Sequence, residues 1–286
     1  MTDWLAFCRE ATAAVESALA EFPTRDERER AVGRGEGGDE TVAIDAAAEA
    51  AVVTLLEGLH RGGVDFTLVS EELGERSFGP GPLRVVLDPI DGSLNAKRGI
   101  PFYSLSVAVA DGDSIGDVFF GYVFDFGTGE EWTARRGEGA YLDGARLDGA
   151  GPKEEIEVLS FEATRTDLVA ERVAAMVGLA YRTRIMGSLA LSLCHLAAGR
   201  VDAVCSLKPA RSVDIAAAQL LVRERELAID LPESPPFVDA PLDVAARSRV
   251  VAAASPERCA ELFERLSASR RSGAGGSSGR RATRRP

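Results

Sequence analysis

The chain has 286 residues, of which 45% are apolar, and a formal net charge of −12. That length can bury a large core as one large or two modest domains, and the composition excludes wholesale disorder. No apolar run reaches the length of a membrane span, and no basic patch followed by an apolar stretch opens the chain, so a cytoplasmic protein without membrane partners is expected.

The charge is unevenly spread. Residues 270–286 hold six arginines and no acid, leaving −18 for the remainder, and only Lys97, Lys153 and Lys208 are lysines. Acidity with scarce lysine suits a high-salt cytoplasm, where self-repulsion is screened. It also disfavours nucleic acid as a partner of the folded body. The cysteines Cys8, Cys194, Cys205 and Cys259 lie far apart among apolar neighbours, and His60 and His195 are the only imidazoles. Buried structural thiols are expected rather than a zinc centre.

In chain order, Trp4, Phe7, Cys8, Ala11, Val15, Ala18, Leu19 and Phe22 recur at helical spacing and predict an amphipathic first helix. Glycines and acids from Gly33 to Glu40 break the pattern, and a second helix is predicted from about Asp45 to His60. Strands are predicted over Phe66–Ser70, Leu83–Leu87, Phe102–Ala110 and Asp117–Phe124. Glu131–Ala134 and Ala140–Leu142 read as a hairpin joined through Arg136–Gly139.

A break near Gly149–Lys153 opens a second half. Strands around Ile156–Phe161, Ala203–Ser206 and Arg249–Ala253 alternate there with helices near Leu168–Val177, Ser188–Ala198 and Asp214–Glu226. This alternation predicts a smaller α/β half. The expected division is 1–150, 151–266 with a closing helix over Pro256–Leu266, and a disordered Arg/Gly/Ser-rich tail over 267–286.

The run Leu87-Asp88-Pro89-Ile90-Asp91-Gly92-Ser93-Leu94-Asn95 is the most informative stretch. It puts two carboxylates three residues apart, on a turn stiffened by Pro89 at the end of a predicted strand. A glycine, a hydroxyl and a possible helix start follow. Hard cations such as Mg²⁺ take oxygen ligands, and a helix start offers unpaired N–H groups to an anion. Metal plus phosphate is the chemistry this pattern suits. With 45 acids in the chain most carboxylates are solvated charge, and Asp214 alone would read as a helix cap. Gly33–Gly38 fits Gly-x-Gly-x-x-Gly but follows charged residues rather than a strand, so it reads as a flexible active-site loop and not a dinucleotide site. His195, on an apolar helix, reads as a core histidine.

Asp88-Pro89-Ile90-Asp91-Gly92-Ser93 resembles the signature of the inositol monophosphatase family. Gly38–Asp45, Ser70-Glu71-Glu72-Leu73-Gly74, Gly187–Leu191 and Ser212–Ala217 resemble further family segments in the family's order, with Val213 in place of a tryptophan. Details such as Gly99-Ile100-Pro101-Phe102 are similar to archaeal members acting on both inositol monophosphate and fructose-1,6-bisphosphate. Ala43, Ala96 and a shorter Leu207–Arg211 segment depart from it.

The resemblance implies a layered αβαβα sandwich of mixed α+β and α/β character. It implies a Mg²⁺-dependent phosphomonoesterase, with two or three ions, that cleaves a small phosphorylated metabolite by direct attack of activated water. Glu71, Asp88 and the Ile90 carbonyl would hold one ion; Asp88, Asp91 and Asp214 a second. Asp45 and Ser93, with Glu71, would activate water, and the Gly92 and Ser93 amides would cradle phosphate. Gly187, Ser188, Lys208 and Arg211 are the candidates for the rest of the substrate, and a homodimer is expected. A 3′-phosphoadenosine 5′-phosphate phosphatase and a catalytically silent metabolite-binding relative are the alternatives.

Overall fold

Neighbouring residues on the central strands, such as Leu68 and Val69, Val85 and Val86, or Val107 and Ala108, are all buried although they face opposite ways. Both faces of their sheet must therefore be covered. A computed structural model describes residues 2–34, 40–162, 165–234 and 236–268. Its first part runs α1 (Trp4–Ala20), α2 (Arg25–Arg28), β1 (Ala31–Arg34), β2 (Glu40–Val42), α3 (Ala43–Arg61), β3 (Phe66–Ser70), β4 (Gly74–Phe78) and β5 (Arg84–Asp91). There follow α4 (Ser93–Arg98), β6 (Ser104–Ala110), β7 (Val118–Asp125), β8 (Glu131–Arg135), β9 (Gly139–Leu142) and β10 (Ala145–Arg146). The rest comprises β11 (Ile156–Glu162), α5 (Thr166–Val173), β12 (Ala180–Arg184), α6 (Leu189–Ala197), β13 (Ala203–Ser206), α7 (Ser212–Ile215), α8 (Ala218–Glu224), β14 (Ala228–Asp230), β15 (Val251–Ala253) and α9 (Pro256–Ala268).

Eight strands form one sheet in the order β10-β9-β8-β7-β6-β5-β3-β4, antiparallel except for the parallel pair β3 and β5. Five form a second, β12-β11-β13-β15-β14, with β11 parallel to both β12 and β13. Three apolar clusters bind the layers. Helices α1 and α3 cover one face of the large sheet through Phe7, Cys8, Val15, Val52 and Leu56 against Phe66, Leu68, Leu105 and Phe120. Helices α6 and α8 lie between the sheets, which is why Leu191, Leu193, Cys194 and Leu196 are buried around much of the α6 circumference. Helix α9 closes the outer face of the small sheet with Cys259, Leu262 and Leu266 against Cys205 and Val251. This is the expected αβαβα sandwich.

Three local expectations are corrected. The Asp88–Asp91 segment is not a turn but the end of β5. The single helix expected over Asp214–Glu226 is broken into α7 and α8, and it starts before Asp214. Beside the Gly33–Glu40 break, β1 and β2 pair antiparallel; residues 35–39 of that loop lie outside the described residues. Ser267 and Ala268 still belong to α9, and the remainder of the Arg-rich tail also lies outside them. Among the described residues, no helix is long and apolar enough to cross a membrane.

Candidate active site

The parallel pairing of β3 and β5 fixes the site. Ser70 pairs with Leu87, so β3 ends level with Leu87 and Glu71 emerges beside Asp88, while β5 runs on. Beyond Leu87, β5 has only β6 as a neighbour, and there the register slips: Asp88 lies opposite Ser106, but Asp91 lies opposite Ser104. Three steps on one strand match two on the other, which is a β-bulge. Without it, residues three apart would face opposite ways; with it, Asp88 and Asp91 both line one cavity. Pro89, which has no N–H to donate, sits inside this bulge, where a proline is tolerated in a sheet.

Gly92 ends the strand with φ of 92° and opens α4. Asn95 of that helix donates to the carbonyls of Phe102 (2.8 Å) and Met186 (2.7 Å), tying the Gly92–Ser93 corner to the loop that carries Gly187. Asp214 arrives from the other side on α7. One carboxylate oxygen each of Glu71, Asp88 and Asp214 lies within 4.8 Å of the other two. They border a cavity of about 410 Å³ also lined by Ile90, Gly92, Ser93, Gly187, Lys208 and Arg211.

Crowded, desolvated carboxylates hold their protons. Burial pushes Glu71 up to about 7 against the pull of Arg211, with Asp214 adding to the rise. Burial also pushes Asp91 up to about 7, although the Ser188 hydroxyl opposes it. Asp88 stands well above the usual range, through burial and then the charges of Glu71, Asp91 and Asp214. A hard oxygen donor set of this density suits a divalent cation.

Of the other expected residues, Ser93 lines the cavity and Asp45 is not part of its lining. Asp45, on the first turn of α3, is 5% exposed. Its Oδ2 lies 3.3 Å from Lys97 Nζ, and its buried Oδ1 has no hydrogen-bond partner among the described residues. Burial raises its pKa, against Lys97 and the Ser93 hydroxyl. Ser93 Oγ donates to the Ile90 carbonyl at 2.9 Å.

Two substrate candidates are placed differently from expectation. Ser188 is fully buried and donates its hydroxyl to Asp91, whose same oxygen takes the Ala190 amide at 2.8 Å. Arg211 is held by the acids themselves, with Nη2 2.6 Å from Glu71 and 3.0 Å from Asp214.

Several residues escaped the sequence reading. Glu49, one turn after Asp45, accepts from the Ser70 hydroxyl and the Leu73 amide (3.4 Å), bracing the corner that carries Glu71. Its signal was an acid on the otherwise apolar face of Ile44, Ala48 and Val52. Glu162, at the end of β11, lines the cavity and accepts from Ser192 (2.6 Å), Ser160 (3.0 Å) and the Gly187 amide (3.0 Å). Asn95 carried no signal beyond its place in the motif.

In a second gathering, of Asp125, Glu130 and His195, both carboxylates are already partnered, while the buried His195 Nε2 has no hydrogen-bond partner among the described residues. Arg200 meets both Glu130 oxygens at 2.7 Å. Asp125 accepts from the Gly127 amide at 2.7 Å and the Thr128 hydroxyl at 2.8 Å, closing the turn into β8.

Residues 4–269 match the model of the inositol monophosphatase family. The fructose-1,6-bisphosphatase/inositol-1-monophosphatase of Methanothermobacter thermautotrophicus is 33% identical over 263 residues, 88% of this chain and 92% of that one. Its counterpart in Archaeoglobus fulgidus is 37% identical over 225 residues, 78% and 82% of the two chains. Among solved structures, an inositol monophosphatase-fructose 1,6 bisphosphatase superposes with a TM-score of 0.79 at 26% identity, covering 92% of this chain and all of that one.

Proposed function

This chain belongs to the inositol monophosphatase family, and on that premise we propose that it is a Mg²⁺-dependent phosphomonoesterase of small phosphorylated polyols or sugars. Fructose-1,6-bisphosphate and inositol monophosphate are its first candidate substrates, by analogy with the relatives' names. The observation that carries this reading is the convergence of Glu71, Asp88 and Asp214 within 4.8 Å in the lining of a cavity that Gly92 and Ser93 also line.

Glu71, Asp88, Asp91, Asp214 and the Ile90 carbonyl would hold the ions. Bound magnesium lowers the pKa of water and neutralises charge developing on phosphoryl oxygens. The chain does the rest by position. Asp45 has one oxygen engaged by Lys97 and one free to accept a proton, and its raised pKa makes it a better base toward water oriented by Ser93. The Gly92 and Ser93 amides face the phosphate. Gly187 and Lys208 face the alcohol part of the substrate. Asp91 is held by Ser188 and Ala190, so its orientation does not depend on ligand. A cytoplasmic homodimer is the working form we assign; light scattering checks the dimer.

The test is phosphate release from both substrates, with and without Mg²⁺, by the wild type and Asp88→Asn. Release that needs Mg²⁺ and falls by orders of magnitude in the variant is expected. A folded wild type that releases nothing from these or a wider set of phosphoesters would sink the catalytic reading.

A further inference from the structure

The acid cluster contains a cation of its own. Arg211 lies three residues before Asp214, and its backbone N–H donates to Asp214 Oδ2 at 2.7 Å. Its guanidinium Nη2 lies 3.0 Å from Asp214 Oδ1 and 2.6 Å from Glu71 Oε1. Only 13% of the side chain is exposed, and Nη1 is buried without a hydrogen-bond partner among the described residues. The fork thus joins two of the three carboxylates that converge, one from each side of the cavity.

The contrast with the Asp125 cluster is informative. There every carboxylate is matched by fixed donors, with Arg200 using both its terminal nitrogens on Glu130. At the cavity, one guanidinium is stretched between two carboxylates with a nitrogen left over, and among the described residues the nearby Asp88 receives only the Ile90 amide, at 3.0 Å. The pairing there is incomplete, and its geometry is that of a clasp that can open.

We propose that Arg211 is a tethered counter-ion that competes with the divalent cation for Glu71 and Asp214, so that it sets how tightly the site holds metal. This rests on the metal-binding reading of the same carboxylates. A guanidinium hydrogen within bonding distance and a divalent cation cannot use the same oxygen lone pairs, and two positive charges so close repel. Whatever free energy the clasp contributes is subtracted from cation binding. Entry of the cation turns Arg211 out into the cavity it already lines, toward an anionic substrate.

The experiment uses the full-length protein stripped with chelator. Mn²⁺ and Mg²⁺ are titrated calorimetrically into wild type, Arg211→Gln and Arg211→Lys, and each melting temperature is measured without and with cation. Arg211→Gln should bind Mn²⁺ about tenfold more tightly, equivalent to about 1.4 kcal/mol. It should melt lower than wild type without cation and show a larger rise when cation is added. Arg211→Lys keeps the charge but loses the fork, and should bind with intermediate affinity.

Equal or weaker binding by Arg211→Gln, with both melting temperatures lowered alike, would show Arg211 to be a structural brace and overturn the proposal while leaving the metal site standing. If Arg211→Gln does not fold, Arg211→Lys decides: affinity no tighter than wild type overturns it. Absence of cation binding in all three proteins would overturn the metal reading itself.

Discussion

Asp88 accepts the Ile90 amide at 3.0 Å and stands 2% exposed among acids that raise one another's pKa. Its replacement by Asn should therefore separate function from stability. Turnover is expected to fall by orders of magnitude, yet at pH 8 in chelator the variant should melt higher, by about 1 kcal/mol or roughly 2–4 °C. Differential scanning calorimetry checks the sign, and a lower melting temperature would mean that the acids do not strain the fold. His195 gives a second residue-scale test. Burial and then Arg200 lower its pKa from 6.5, against the opposing charges of Glu130 and Asp125, while its ring packs on Phe102 and Trp132. A depressed folded-state pKa contributes stability that is present above 6.5 and lost as pH falls through the folded value. Glu71, Asp88 and Asp91, whose folded-state values are raised, act with the opposite sign over the same window. In chelator His195 should therefore blunt their rise in melting temperature from pH 6.5 to 5.5, and His195→Gln should steepen it.

Among elements, the strands legible in the sequence and those that were not differ in position. Phe66–Ser70 and Ala203–Ser206 were predicted to the residue, and the bodies of β5, β6, β7 and β11 were found, because central strands are apolar on both faces. The missed strands β4, β10, β12 and β14 are the four sheet edges, and β1 and β2 form a separate ribbon. Gly74–Phe78 and Ala180–Arg184 expose most of their side chains and carry charges, as edges that avoid aggregation do. An edge strand leaves little period-2 signal to read. The site was legible as a set of residue types, because its acids are local motifs. Its bulge, the burial of Ser188 and the clasp of Arg211 depend on contacts between distant segments, and no spacing encodes those. At the Gly92 corner, an added Cβ would lie 3.1 Å from the carbonyl oxygens of Gly187 and Phe102, at a φ that side chains avoid. Gly92→Ala should cost about 1–3 kcal/mol, lowering the melting temperature by several degrees. It should also reduce turnover at least tenfold, since it displaces Asp91 and Ser93 together; a variant with wild-type activity would remove the corner from the mechanism.

For the whole molecule, acidity is the governing quantity. Outside residues 270–286 the net charge is −18, and self-repulsion opposes the compact state until salt screens it. Melting temperature should rise by several degrees between 0.05 and 1 M KCl, most of it at the lower end, because the Debye length is already about 3 Å at 1 M. Removing residues 270–286, which takes away six positive charges, should make that rise steeper. A flat salt response would refute the high-salt reading of the composition. The cavity lies where the two sheets and their shared middle helices meet, with Glu71, Asp88 and Asp91 on one side and Gly187, Lys208 and Asp214 on the other. Loosening of either side is thereby transmitted to the carboxylates.

The four cysteines are all unpaired and buried, and each apolar layer holds at least one: Cys8 on the buried face of α1, Cys194 between the sheets, Cys205 beneath α9 and Cys259 on its buried face. Alkylating reagents can reach them only through openings of their own layer, so the protein carries an internal set of clocks. Mass spectrometry of timed iodoacetamide labelling would read each clock separately. Equal rates at all four thiols would mean that the sandwich opens as a unit. Faster capture of Cys205 and Cys259 would identify the outer layer as the first to part.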